Sequence, residues 1–335
     1  MTARQLVAPG GVQPHSAPPH RLVEGDWSLA LSELTHDRPS LWVAERCLAS
    51  RVPSSTHLVE GGESEKRIER LEELVSELIT RGLTREHVVV AIGGGATTDL
   101  VGFAAAVALR GVDWVAVPTT LLAAVDASIG GKTAVNSPLG KNLLGAFHQP
   151  LAAVIDPSWW ETLPPSAYRS AAAEILKVGL LRPELLQRLR RCEDAQAVAQ
   201  LAREAAQVKL DVVAADPHER GARMALNLGH TLGHALERQG RGRLSHGEAV
   251  AIGLAAVLRL RHPDAEALIR LMARWGLPTT LPDWAQEDEL IPLMRRDKKA
   301  SSTGLRVVLP SGDGGCHVVE SFDPQRLIRA LSTTS

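Results

Sequence analysis

The chain has little from which to build a disulfide scaffold, a base-stacking platform or a membrane span. Only three of its 335 residues are cysteine. Cys47, Cys192 and Cys316 are far apart and without CxxC spacing, which argues against a disulfide framework or a Cys-rich metal site and fits a reducing cytoplasm. Aromatics make up 3 %, with seven Trp, three Phe and one Tyr, so exposed rings for stacking nucleobases are scarce. Charge of one sign is also lacking: 37 basic against 38 acidic side chains leave a net charge of −1, and no global field marks the chain for nucleic acid or an anionic membrane. Its longest apolar stretches, Leu100 to Leu109 and Val250 to Leu258, fall far short of the roughly 20 residues a spanning helix needs. Residues 1–21 contain no apolar signal-peptide core and read as a flexible tail, neither signal nor anchor.

What is present is the balance of a globular protein: 44 % hydrophobic and 22 % charged residues. At about 150 residues per domain the length predicts two. From Ser40 to about Pro165, short β-branched runs alternate with helical segments, the pattern of a βαβ-layered domain, which is expected to span residues 22–165. Strands are predicted at Leu41 to Ala44, His57 to Val59, His87 to Ile92, Trp114 to Val117 and Ala152 to Ile155, with helices at Glu65 to Arg81 and Asp99 to Leu109. The Gly-, Lys- and Asn-rich segment from Pro118 to Pro150 reads as a long loop. The double proline Pro164-Pro165 marks the boundary, and residues 166–335 are mostly helical until short strands at Leu305 to Leu309 and His317 to Val319. This order predicts an α/β fold, a Rossmann-like dinucleotide-binding domain followed by a mostly helical domain, with the active site in the cleft between them.

Two sets of residues carry chemistry. Gly93-Gly94-Gly95-Ala96-Thr97-Thr98-Asp99 follows a strand and opens a helix, where glycines let backbone N–H groups approach a phosphate. It is not GxGxxG, so a tight structural turn is the competing reading, and Asp99 could serve as a cap or first-turn acid. Further along, Arg223, Asn227, His230, His234 and Glu237 are spaced 4, 3, 4 and 3, which on one helix places all five in a narrow polar stripe. Such a set lines an anion or metal site more readily than a solvated face. The His230/His234 pair lacks the glutamate of HExxH, which argues against a zincin protease. His246 in Ser-His-Gly-Glu and Glu174 in Ala-Glu-Ile-Leu-Lys could complete a site with one carboxylate and two imidazoles, leaving positions open on a zinc-like ion. Lys132, Lys141, Lys209 and the Lys298-Lys299 pair add cations.

Together these segments resemble the 3-dehydroquinate synthase family of the sugar-phosphate cyclases. GGGATTDLVGF, RGVDWVAVPTTLLAAVDASIGGKTAVN, GKNLLGAFHQP, TLPPSAYRSAAAEILKVG, LNLGHTLGHALE, LSHGEAVAIGL and DKKASSTGLRVVLP stand in that family's order from about Gly61 to Val319. The resemblance implies cyclisation of a 3-deoxy-heptulosonate 7-phosphate to 3-dehydroquinate with loss of phosphate, using NAD and one divalent metal, zinc or cobalt. It implies Glu174, His230 and His246 as metal ligands. Glu63, Lys66, Gly94, Gly95, Thr98, Asp99, Thr119, Thr120, Lys132, Lys141 and Thr162 would lie around the cofactor. Asp126, Lys132, Asn142, Lys177, Lys209, Arg223, Asn227, His234, Lys298 and Lys299 would serve the substrate, and Arg110 would reach the phosphate of a neighbouring subunit in a homodimer.

The chain departs from the family pattern at Thr97-Thr98, where Ile-Gly is usual, and at Arg67, where Ser is common. The helix after the first strand looks trimmed to Ala49 to Ser55, and Glu45 is a candidate ribose-binding acid. Three alternatives stand beside this reading: an aminodehydroquinate synthase or another specialised-metabolism cyclase, a metal-dependent polyol or glycerol dehydrogenase, and a ligand-binding scaffold without catalysis. No nucleic-acid or membrane partner is expected.

Overall fold

The computed structural model describes residues 3–6, 21–35, 38–296 and 304–332. The chain forms two compact units that divide between Leu163 and Pro164, with Ala3–Leu6 joining the C-terminal one. Strand β1 (Ala3–Leu6) pairs antiparallel with a strand near the chain's end. Within the flexible tail expected over residues 1–21, Ala3–Leu6 is thus a strand; residues 1–2 and 7–20 lie outside the described residues. The open edge of that distant strand supplies the backbone partners, and local composition carries no sign of them.

The α/β unit is built on β2 (Arg21–Glu24), β3 (Ser40–Glu45), β4 (His57–Val59), β5 (Val88–Gly93), β6 (Asp113–Pro118), a hairpin of β7 (Lys132–Ser137) and β8 (Gly140–Phe147), and β9 (Ala152–Ile155). Six strands form one parallel sheet in the order β2-β9-β6-β5-β3-β4. β5 and β9 are buried throughout, as strands covered on both faces must be, which is why they read as continuous apolar runs. Three helices join this unit: α1 (Trp27–Thr35), α2 (Ile68–Thr80) and α3 (Gly95–Val107). In α2, Leu71, Leu74 and Leu78 are buried, a stripe at helical spacing. Chain order runs outward from β3 to β4, returns to β5 on the other side of β3, and proceeds to β6. The carboxyl ends of β3 and β5 therefore flank a topological switch point, the place where open parallel sheets bind ligands.

Between β3 and β4 there is only a 3₁₀ turn, Arg46–Arg51, in place of the short helix expected at Ala49 to Ser55. The expected loop from Pro118 to Pro150 is largely ordered, as a π-helical turn at Ala123–Ala127 and the β7-β8 hairpin.

The second unit comprises α4 (Pro165–Gly179), α5 (Pro183–Leu189), α6 (Ala195–Ala199), α7 (Ala202–Ala215), α8 (His230–Gly240), α9 (His246–Arg261), α10 (Ala265–Arg274), α11 (Glu287–Arg296), β10 (Val307–Pro310), β11 (Cys316–Val319) and α12 (Gln325–Ser332). A three-stranded sheet, β1-β11-β10, completes it. α9 is buried along most of its length and packs against α8 and α4. α4 is buried from Ser170 to Gly179, so these two helices form the interior on which the polar residues below are mounted. No described helix is long and apolar enough to cross a membrane.

Candidate active site

In the α/β unit the glycine turn lies at the switch point. α3 begins at Gly95 behind Gly94. A Cβ on Gly93 would come within 2.7 Å of Thr97 Cβ, and one on Gly95 within 2.9 Å of Ala127 Cβ, so the cradle exists only because side chains are missing from it. At the end of β3, Glu45 Oε1 accepts hydrogen bonds from Gly94 N and Thr97 Oγ1, both at 2.7 Å. The Thr97 hydroxyl thereby joins an acid already held on the turn. Thr98 is buried and donates to Gly95 O, while Thr119 N donates to Gly93 O. Thr120 Oγ1 accepts from Ala123 N and opens the π-helical turn that carries Asp126.

Asp99 is not the cap or first-turn acid that sequence allowed: it stands in the second turn of α3, with no acid in the first. Its Oδ2 accepts from Lys66 Nζ at 2.7 Å, and the same ammonium donates to Asn142 Oδ1 at 2.5 Å. Lys66 is buried. Desolvation pushes the Asp99 carboxyl up to about 6, against the pull of Lys66. Asn142 adopts φ 55°, a left-handed conformation that Asn tolerates better than most residues. Its N–H donates to Asn136 Oδ1 at 2.9 Å, and Asn136 Nδ2 donates to Glu63 Oε1 at 2.8 Å. Asn136 thus ties Glu63 to Asn142. Sequence reasoning did not single it out, because nothing in AVNSPLGKN sets it apart before the hairpin folds. Lys132 and Lys141 are exposed on the same hairpin, Thr162 is exposed near the end of this unit, and Arg110 follows α3 with φ 66°.

The second unit brings Glu174, His230 and His246 together, with one candidate ligand atom from each within 4.8 Å of the others. Glu174 and Lys177 share a face of α4, are both 1 % exposed, and form an ion pair. His230 opens α8 and His246 opens α9. Each imidazole has its Nδ1 engaged, His230 with Leu228 O and His246 with Glu237 Oε2, both at 3.1 Å. Carbonyls and ionised carboxylates only accept, so each Nδ1 is the donor and holds a proton, and Nε2 is the nitrogen whose lone pair becomes available to an ion once any second proton leaves. Both Nε2 atoms face Glu174 Oε1, at 3.6 Å and 3.2 Å. Two imidazole lone pairs and one carboxylate directed at a common point are the donor set of a zinc-like ion.

Burial and the Lys177 ammonium hold His230 well below the ordinary imidazole range. Burial lowers His246 too, but hydrogen bonds to Glu174 and Glu237 override it and raise that group to about 10. A proton on His246 and a divalent ion answer the same concentration of negative charge.

The single helical stripe expected from Arg223 to Glu237 is corrected. Arg223 and Asn227 lie on a separate 3₁₀ turn, Ala222–Asn227. Gly229 then breaks the path at φ 77°, where a Cβ would meet Leu254 N at 2.9 Å. Arg223 is buried and donates from Nη1 to Pro217 O at 2.8 Å, and Asn227 Nδ2 donates to Glu219 Oε1 at 2.6 Å. Lys209 is buried on α7. His234 stacks edge-on against His230, with ring centroids 5.1 Å apart, outside the three-ligand group. Lys298 and Lys299 fall outside the described residues.

Comparison with known proteins gives these arrangements a setting. Residues 56–170 match the N-terminal part of 3-dehydroquinate synthases and residues 171–300 the C-terminal part. The 3-dehydroquinate synthase of Xylella fastidiosa strain 9a5c is 40 % identical over 294 residues, covering 82 % of this chain and 75 % of that protein. The one from Xanthomonas campestris pv. campestris strain 8004 is 40 % identical over 319 residues, covering 89 % and 83 %. Among solved structures, ValA, a 2-epi-5-epi-valiolone synthase from Streptomyces hygroscopicus subsp. jinggangensis 5008 with NAD+ and Zn2+ bound, superposes with a TM-score of 0.81 at 27 % identity, over 97 % of this chain and 99 % of that one.

Proposed function

From the premise that the chain belongs to the 3-dehydroquinate synthase family, we propose that it cyclises a 3-deoxy-heptulosonate 7-phosphate to 3-dehydroquinate with elimination of phosphate, as a cytoplasmic homodimer. The observation that carries this reading is the convergence of two Nδ1-anchored imidazoles on the buried Glu174 carboxylate. A zinc or cobalt ion held by Glu174, His230 and His246 would supply Lewis-acid polarisation of a substrate oxygen, and NAD bound at the glycine turn would supply reversible hydride acceptance.

The chain's own groups prepare the rest. The glycine turn offers backbone N–H groups at the positive end of α3 to the cofactor phosphates, with Glu63, Lys66, Thr98, Asp99, Thr119, Thr120, Lys141 and Thr162 around it. Lys66 fixes Asn142 by a charge-assisted bond, so a carboxamide meant for substrate is held before substrate arrives. Lys177 compensates the Glu174 charge in a buried setting, where an unpaired carboxylate would be costly. Asp126, Lys132, Lys209, Arg223, Asn227 and the Lys298-Lys299 pair bind the substrate, and Arg110 of a neighbouring subunit reaches its phosphate. Oxidation beside a C–H bond acidifies its proton, and the departing phosphate can take that proton. The protein then needs cations to position the phosphate more than it needs a strong base. His234, beside His230, handles proton transfer at the reacting oxygen.

The test is to supply NAD, Zn2+ or Co2+ and 3-deoxy-arabino-heptulosonate 7-phosphate, and to follow phosphate and absorbance at 340 nm together. Phosphate release without net NADH is expected. Stoichiometric NADH without phosphate would indicate a polyol dehydrogenase, and preference for the amino analogue of the substrate would indicate the specialised-metabolism cyclase.

A further inference from the structure

One member of the polar stripe, Glu237, has no part in the chemistry above. It lies seven residues after His230 on α8, two turns along and therefore on nearly the same face, and its side chain is only 16 % exposed. Its Oε2 lies 3.1 Å from His246 Nδ1. His246 belongs to the next helix, whose start is pinned in two ways. Ser245 and Glu248 form a reciprocal capping box, and Gly247 lies so close to α4 that a Cβ there would sit 2.0 Å from Ser170 O. These contacts place the His246 backbone. They leave the ring free to turn about its own side-chain bonds and to put its proton on either nitrogen.

We propose that Glu237 is the positioning residue of the metal centre: by accepting from His246 Nδ1 it fixes the ring's orientation and tautomer, so that Nε2 presents its lone pair beside Glu174. The inference rests on the reading that Glu174, His230 and His246 hold a divalent ion. His230 receives the equivalent restraint from a backbone carbonyl, Leu228 O, which no substitution removes. His246 receives it from a side chain and is therefore the ligand whose orientation can be tested. Orienting partners of this kind typically contribute 10- to 100-fold to metal affinity.

The experiment is a titration of metal-stripped protein with Co2+ and Zn2+, read by the Co2+ d–d absorption and by competition with a chromophoric chelator. E237A should bind both ions 10- to 100-fold more weakly, with a changed Co2+ spectrum and an unchanged far-ultraviolet circular dichroism spectrum. E237Q keeps an oxygen that accepts from Nδ1 while losing the charge, and should recover most of the affinity and the wild-type band shape. Wild-type affinity and spectrum in E237A would overturn the proposal. So would E237Q as weak as E237A, since attraction by charge alone would then account for the effect. His230→Ala separates the two layers: if it too binds metal like the wild type, the metal reading fails as a whole, whereas loss there with none in E237A removes only the role of Glu237.

Discussion

Asp99 is a salt-bridged acid whose burial outweighs its partner. Lys66 and its hydrogen bond lower the group, Glu63 and Asp126 raise it, and desolvation dominates, taking it from 3.8 to about 6. The sign of the linkage follows. Between about pH 4 and pH 6 the folded chain binds more protons here than the unfolded chain does, so this carboxyl's contribution to stability falls as pH rises through that window. Asp99→Asn removes the effect. Urea unfolding at pH 4.5 and pH 7.5 should show the variant gaining on the wild type between the two, by on the order of 2 kcal/mol at about 1.4 kcal/mol per unit. A difference equal at both pH values would mean that the carboxylate is ionised throughout. Asn136 belongs to the same cluster, and its role is visible only in its partners. As one asparagine among several in a polar stretch it had no sequence signal, because its two side-chain hydrogen bonds reach residues 73 and 6 positions away.

At the scale of elements, β5, β6 and β9 were legible because strands buried on both faces are written as uninterrupted apolar runs, and β3 through its Leu41 to Ala44 run although only Val43 and Ala44 are buried. The hairpin was not. β8 carries Gly140, Lys141, Asn142 and Gly145 and is mostly exposed, so its extended form comes from pairing with β7, which composition does not express. The 3.6-residue period placed His230 and His234 side by side, but the stripe was broken at Gly229, where tertiary contact with α9 overrides helical continuity. Gathering Glu174, His230 and His246 from three helices was beyond spacing altogether, and the resemblance supplied that set. The crossing of α4 and α9 gives a prediction at this scale. Gly247→Ala drives a methyl into Ser170 backbone, which can retreat only by moving the helix that carries Glu174. Soluble yield should fall sharply, or the melting temperature of what remains should drop by several degrees. A variant melting with the wild type would show that α4 can yield at that point.

For the whole molecule, a net charge of −1 is an average that hides its own interior. Lys66, Lys177, Lys209 and Arg223 are all buried, and each must be matched by acids, carbonyls or a ligand. A ligand that binds only the folded chain stabilises it by RT ln(1 + [L]/Kd), about 2.7 kcal/mol at one hundred times Kd. Metal-stripped protein should therefore melt several degrees lower than protein saturated with Zn2+, and Co2+ should restore what Zn2+ restores. Mg2+, which prefers oxygen ligands, should not. Differential scanning fluorimetry checks this directly, and equal melting with and without Zn2+ would count against the centre. The switch point is furnished differently. Glu45 already occupies the N–H of Gly94, so on the proposed reading a dinucleotide enters by substitution, one anion displacing another. One N–H of the turn is thus already answered by an acid. The affinity measured for the cofactor is then a difference between two guests for the same donor, and release is eased because the resident acid is waiting to return.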